Sequence, residues 1–94
     1  MEIERNTPAG RLRGRRSADG KADCFFGLPY ARPPVGALRW RPPQRLAPWR
    51  DVRDATRFGD ASLQRPRPRD SIMYFGDEPS SEDCLYLNVW APTQ

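Results

Sequence analysis

The 94-residue sequence contains no histidine. Hydrolytic nucleophiles such as serine need a neighbouring base, and that base is most often histidine. None of the serines lies in a Gly-x-Ser-x-Gly turn. The serines are Ser17, Ser62, Ser71, Ser80 and Ser81. Adjacent carboxylates occur at residues 77–78 and 82–83, but neighbours on a strand point to opposite faces and could not act together. We therefore predict that this polypeptide carries no catalytic residue and is inactive alone.

The sequence also lacks long apolar runs and has only two cysteines, Cys24 and Cys84. No stretch approaches the ~20 apolar residues of a membrane span, and residues 1–6 lack the apolar run of a secretory signal. We therefore expect a cytoplasmic protein without a membrane partner or a disulfide, in which both cysteines are buried as small apolar side chains. A zinc site would lack its usual ligands without histidine. We expect no metal and no cofactor.

Charge is distributed unevenly along the chain. All 16 basic residues lie in residues 1–69 and all but Lys21 are arginine, whereas residues 70–94 carry only acidic charges. The two regions should attract each other, and the interpretation we favour is a solvated, partly paired surface. The alternative is a stand-alone arginine-rich module that binds nucleic acid or protein, with its aromatic side chains stacked on bases. Binding of nucleic acid would weaken steeply with salt.

Eleven prolines and seven glycines divide the chain into short elements. The Asp19-Gly20 pair predicts a hairpin turn between two short strands within residues 10–26. The first of these strands, residues 11–16, holds four arginines and is predicted to lie at a sheet edge. Six prolines in residues 27–48 predict a rigid irregular loop, whose aromatic and aliphatic side chains need a surface to pack on.

Three later segments give signals of different strength. Residues 49–55 are predicted to form either a short strand or a turn of helix with Trp49, Val52 and Ala55 inward, and so short a pattern does not decide between them. Residues 65–69 alternate arginine with proline, which predicts exposed, extended chain. Residues 85–90 give the best strand signal, because leucine and valine alternate with Tyr, Asn and Trp. Apolar groups on both faces predict a strand that is covered on each side.

Three blocks of this sequence carry a resemblance to a known family. Residues 26–43 are similar to F-x-G-I-P-Y-A-x-P-P-x-G followed by L-R-F-x-P-P, and residues 49–59 to W-x-x-V-x-x-A. Residues 81–92 are similar to E-D-C-L-Y-L-N-V. In this order the blocks resemble the N-terminal signature of the type-B carboxylesterases, which include cholinesterases, para-nitrobenzyl esterases and the non-enzymatic neuroligins. The motif residues are Gly27, Pro29, Tyr30, Pro33, Pro34, Asp83, Cys84, Leu85 and Asn88.

The resemblance implies an α/β-hydrolase fold. Residues 1–94 would be the N-terminal part of one such domain, with the family-like region at about residues 10–92. The expected elements are a β-hairpin, a Pro-rich wrapping loop and an early strand of the central sheet. The oxyanion loop, the nucleophile elbow, the acid and the histidine would lie in the missing C-terminal remainder of the fold. The complete protein would be a serine esterase that acts on carboxylic esters through an acyl-enzyme, and the part seen here would be structural.

The resemblance also assigns individual residues. It implies a buried ion pair between Arg39 and Glu82, which would pin the Pro-rich loop to the last strand. Cys84 matches a family cysteine that, in secreted members, forms a disulfide with an upstream cysteine. In this sequence the position of that upstream cysteine is occupied by Ser62. That bond is therefore expected to be absent, which disfavours a non-catalytic, adhesion-type member of the family.

Overall fold

The computed structural model describes residues 1–74 and 76–93. These residues form one sheet with the order β1-β2-β3-β5, in which β4 also pairs with β2. All neighbours are antiparallel except β2 and β4, which are parallel. The strands are β1 Glu2–Thr7, β2 Gly10–Arg16, β3 Ala22–Pro29, β4 Arg53–Asp54 and β5 Tyr86–Pro92. Within the described ranges, no helix is long and apolar enough to cross a membrane.

The turn predicted between β2 and β3 is confirmed. The Ser17 N–H donates to the Ala22 carbonyl over 2.8 Å, and Gly20 adopts a φ of +72°. The Asp19 carboxylate accepts the Ser17 hydroxyl at 2.6 Å and the Lys21 N–H at 3.0 Å. These bonds, the hydroxyl first, lower the pKa of Asp19 and fix the hairpin at Asp-Gly, where left-handed backbone is easily adopted.

The prediction that β2 lies at the sheet edge is wrong. β2 lies inside the sheet between β1 and β3, and β1 takes the edge. Period-two alternation explains the difference, because Leu12 and Gly14 are buried while Arg11 and Arg15 on the other face are exposed. A strand can therefore be rich in arginine and still contribute to the core through its other face.

The core is a small cluster on one face of the sheet. Leu12, Phe25 and Ala55 are buried, and Ile3, Leu28 and Trp49 pack against them. The Trp49 indole N–H donates to the Arg11 carbonyl at 3.0 Å, so this side chain is inward as predicted. Of the two alternatives predicted for residues 49–55, a strand or a turn of helix, the structure shows a strand, β4, which is two residues long.

The Pro-rich segment is irregular, as predicted, except for a 3-10 turn at Gly36–Leu38. It begins later than expected because β3 continues through Pro29. The described residues supply only in part the surface predicted for its apolar side chains, because Leu28 packs against the core and Leu38 is half-buried but others are not covered. Tyr30 and Val35 are exposed, and Trp40 is 95% exposed with a φ of +63°, a backbone conformation that costs about 1–2 kcal/mol for a residue with a Cβ.

Residues 65–69 are exposed and belong to no strand or helix, as predicted. The predicted strand at residues 85–90 is confirmed as β5, which pairs with β3. The prediction that both of its faces are buried is wrong. Leu87, Val89 and Trp90 are 42%, 38% and 58% exposed, because within residues 1–74 and 76–93 β5 pairs on one side only and no layer covers it.

Candidate functional site

Two of the predicted site residues, Arg39 and Glu82, meet where the Pro-rich loop approaches the segment before β5. The Arg39 Nε–H donates to Glu82 Oε2 and the Nη2–H to Oε1, both over 2.7 Å. This bidentate hydrogen bonding lowers the pKa of Glu82 and fixes the orientation of both side chains. The structure thus brings the two residues together, but they are 51% and 38% exposed and not buried. Solvent screens a pair at this depth.

Gly27 and Asn88 meet at an irregularity between β3 and β5. The register shifts between Phe25 and Leu28, and the Gly27 N–H donates to the Asn88 side-chain oxygen at 2.9 Å. Gly27 has a φ of +66°, and a Cβ there would lie 2.5 Å from the Arg57 carbonyl oxygen. This position therefore requires glycine, both for its backbone angle and for its space.

The other motif residues of the first block shape the backbone. Pro29 is the last residue of β3, and the Tyr30 N–H donates to the Leu85 carbonyl at 3.2 Å. Pro33 and Pro34 are half-buried in the loop. Each fixes a φ angle and needs no hydrogen-bond acceptor for a backbone N–H. Their place in the structure is that of loop-forming residues.

The remaining motif residues surround the start of β5. Burial raises the pKa of Tyr86, and its side-chain hydrogen bond to Asp83 raises it further. The Tyr86 ring packs on Gly59, where a Cβ would lie 2.5 Å from the ring. Leu85 is half-buried. Cys84 is half-buried rather than buried, while Cys24 is buried as predicted, and both thiols are free.

The structure also contains an ionic cluster around Asp23 that was not predicted from the sequence. Asp23 is 4% exposed and accepts hydrogen bonds from Arg16 at 2.8 Å and from Arg5 at 3.0 Å. The Arg16 hydrogen bond is the main cause of a lowered Asp23 pKa. A lone carboxylate beside the apolar run of β3 was the available signal, since a buried charge needs a partner. The cluster ties β1, β2 and β3 together on one face.

Comparison with known proteins identifies the family of nearly the whole sequence. The profile of the Carboxylesterase family matches residues 2–94. The chain belongs to this family. The match includes β1, which precedes the region of residues 10–92 that carried the resemblance.

Individual carboxylesterase relatives support the assignment. The fumonisin B1 esterase of Sphingopyxis macrogoltabida is 41% identical over 93 residues, which are 99% of this chain and 16% of that protein. The phenmedipham hydrolase of Pseudarthrobacter oxydans is 49% identical over 89 residues, which cover 93% of this chain and 18% of the relative. The chain thus spans less than a fifth of the length of these relatives.

Solved structures agree on the fold. A PNB esterase superposes with a TM-score of 0.80 at 36% identity, over 98% of this chain and 18% of that one. A carboxylesterase of Geobacillus stearothermophilus superposes with a TM-score of 0.73 at 38% identity, over 93% and 16%. These residues therefore form part of an α/β-hydrolase fold. The alternative of a stand-alone arginine-rich module is not favoured.

These 94 residues cannot form a Ser-His-acid triad, because they include no histidine. The structure shows a depression of about 490 Å³ whose lining comes from the segment between Ala61 and Ser80 and includes Arg65, Tyr74 and Asp77. Ser80 lies at its edge, but the chain has no histidine to act as its base. The arrangement fixes backbone positions around β5 and provides no nucleophile with its base.

Proposed function

We propose that these 94 residues are the N-terminal structural part of a serine esterase that hydrolyses carboxylic esters through an acyl-enzyme. The observation that carries the proposal is the superposition of 98% of the chain on a PNB esterase at a TM-score of 0.80. In α/β-hydrolases the Gly-x-Ser-x-Gly nucleophile, the acid and the histidine act together with an oxyanion hole. The part of the domain outside these residues would supply all four.

The role of the chain in that enzyme is to position β5. The Arg39–Glu82 ion pair connects the Pro-rich loop with the segment that enters β5. The Gly27–Asn88 hydrogen bond then fixes β5 against β3. Catalytic groups must be held within fractions of an ångström, so these two contacts would support a site that they do not themselves enter.

A cytoplasmic location is part of the same proposal. Both cysteines are free thiols, and Ser62 stands at the position where the resemblance implies a cysteine partner for Cys84. Reduced thiols are the rule in cytoplasmic proteins, whereas disulfides form and persist in extracellular ones. These observations support a location inside the cell.

A covalent chimera tests the proposed function. This chain replaces the matching segment of the PNB esterase, and hydrolysis of a chromogenic short-chain ester is measured together with labelling by a serine-directed phosphonate. We expect the chimera to turn over and to be labelled, while the 94-residue chain alone does neither. The esterase with the segment deleted is the control. An inactive chimera that folds, or hydrolysis by the isolated chain, would contradict the proposal.

A further inference from the structure

The loop formed by residues 61–80 is closed by backbone hydrogen bonds at its two ends. The Ala61 N–H donates to the Pro79 carbonyl at 2.9 Å, and the Ser81 N–H donates to the Ala61 carbonyl at 3.0 Å. The described residues that line the depression of about 490 Å³ all belong to this loop. The shape of the depression therefore depends on contacts within the loop itself.

A second set of contacts holds the interior of the loop. The Arg69 Nη2–H donates to Asp77 Oδ2 at 2.7 Å, and the side-chain hydrogen bond of Tyr74 to Asp77 is the main cause of a raised Tyr74 pKa. The Ser71 N–H donates to the Pro68 carbonyl at 3.0 Å, and the Tyr74 N–H donates to the Ser71 carbonyl at 3.1 Å. The Asp77 carboxylate thus already has two donors, and Arg69 balances its charge.

The lining of the depression carries an excess of positive charge. Arg65 and Arg67 both line it, and neither forms an ion pair with any residue that the structure describes. Glu78 also belongs to the lining. Because Asp77 is balanced by Arg69, two unpaired guanidinium groups face one remaining carboxylate. This excess favours an anionic ligand.

The two arginines are carried by a stiff and accessible segment. Pro66 and Pro68 follow them in the sequence, and each proline fixes a φ angle. A segment that is already restricted loses less conformational freedom when a ligand binds. Residues 65–69 are exposed, so the guanidinium groups are open to solvent. A guanidinium group can bind a carboxylate through two parallel hydrogen bonds.

The depression also offers apolar contacts to a ligand. Pro66, Met73, Tyr74 and Pro79 contribute to its lining. Its volume lies within the range of about 300–1,000 Å³ that is usual for sites of small organic molecules. An inorganic anion would leave the apolar side chains without contacts. The lining therefore suits an anion with an apolar body.

We propose that the depression in the loop of residues 61–80 binds a small organic dicarboxylate. Its carboxylate groups pair with Arg65 and Arg67, and its apolar body packs on Met73 and Tyr74. The proposal goes beyond the proposed function, because it concerns a ligand site formed by this chain and holds whether or not the complete domain hydrolyses esters.

Titration calorimetry of the 94-residue chain at low salt tests the proposal. The probes are isophthalate, which has two carboxylates on an aromatic ring, benzoate, which has one, and inorganic phosphate, which has no apolar body. We expect isophthalate to bind more tightly than benzoate or phosphate, and its affinity to fall as salt is added. The same titrations of the esterase chimera, after treatment with the serine-directed phosphonate, repeat the measurement in a complete domain.

Substitutions locate the site. Arg65→Gln and Arg67→Gln each remove a charged hydrogen-bond donor and should weaken isophthalate binding by about tenfold. Arg41→Gln is the matched control, because Arg41 is also exposed, is followed by proline and forms no ion pair among the described residues, but lies outside the loop. It removes the same charge and should leave the affinity nearly unchanged.

Several results would overturn the proposal. The absence of isophthalate binding to both the chain and the chimera would do so, as would an affinity that Arg65→Gln and Arg67→Gln leave unchanged. An equal loss in Arg41→Gln would show general attraction to a basic chain and no site in the loop. Benzoate or phosphate bound as tightly as isophthalate would contradict the proposed class of ligand.

Discussion

The two edges of the sheet differ in how they meet solvent. β1 carries Glu2, Glu4 and Arg5 along its length, whereas β5 has no charged side chain. Charge on an edge strand discourages pairing with another chain, and its absence leaves the backbone open to pairing. The β1 side is also fixed by a buried carboxylate, whereas the β5 side exposes leucine, valine and tryptophan. One edge is therefore protected against further strands, whereas the other is suited to receive one.

The largest expected difference in unfolding free energy is between removing an apolar side chain from the core and removing one from β5. Phe25→Ala removes a buried ring that contacts the core and should lower the free energy of unfolding by about 3–5 kcal/mol. Trp90→Ala removes an exposed ring and its aromatic contacts, which should cost about 0.5–1.5 kcal/mol. Urea unfolding of the 94-residue chain measures both. Equal losses would show that β5 is as well packed as the core.

The Asp23 cluster should make the β1 side sensitive to acid. The folded pKa of Asp23 is lowered, chiefly by its hydrogen bond from Arg16. The contribution of Asp23 to the stability of the folded chain is therefore present above the unfolded pKa of about 3.9. This stability is lost as the pH falls through the folded pKa. Asp23→Asn should lower the melting temperature at neutral pH and flatten its dependence on pH below about 4.

Asp19→Asn is the control for that experiment. Asp19 also has a lowered pKa, but it lies in the exposed turn and accepts no hydrogen bond from an arginine among the described residues. Asp19→Asn should change the pH dependence of the melting temperature less than Asp23→Asn does. A steeper acid dependence in Asp23→Asn than in the parent chain would contradict the assignment.

These comparisons show where the sequence was informative. Local signals predicted the turn at Asp19-Gly20 and the alternation of β5, because both depend on neighbouring residues. β1 was missed because Ile3 is its one large apolar side chain and so gives no periodic pattern. The Gly27–Asn88 bond joins residues 61 positions apart, and nothing local encodes it. The exposure of β5 depends on how much of the domain surrounds it, and the pattern of residues along the strand does not show this.

Two glycines allow a sharper test of the junction between β3 and β5. Gly27 and Gly20 both have positive φ angles, but a Cβ at Gly27 would meet the Arg57 carbonyl whereas one at Gly20 meets nothing within 4 Å. Gly20→Ala should therefore show only the backbone strain of about 1–2 kcal/mol. Gly27→Ala should cost more, measured as the change in unfolding free energy in urea. Similar losses would mean that the loop at residue 57 moves away freely.

The smallest effect should come from the ion pair that joins the Pro-rich loop to the segment before β5. Arg39→Ala in the esterase chimera removes both hydrogen bonds to Glu82 and should lower the melting temperature modestly, since the pair is screened by solvent. Arg39→Lys keeps the charge but cannot donate in the same two-pronged geometry, so its melting temperature should lie between those of Arg39→Ala and the parent. Added salt should narrow the gaps among all three proteins. A melting temperature unchanged by Arg39→Ala would show that the ion pair does not hold the Pro-rich loop in place. Backbone contacts such as that of Tyr30 with Leu85 would then hold the loop to β5.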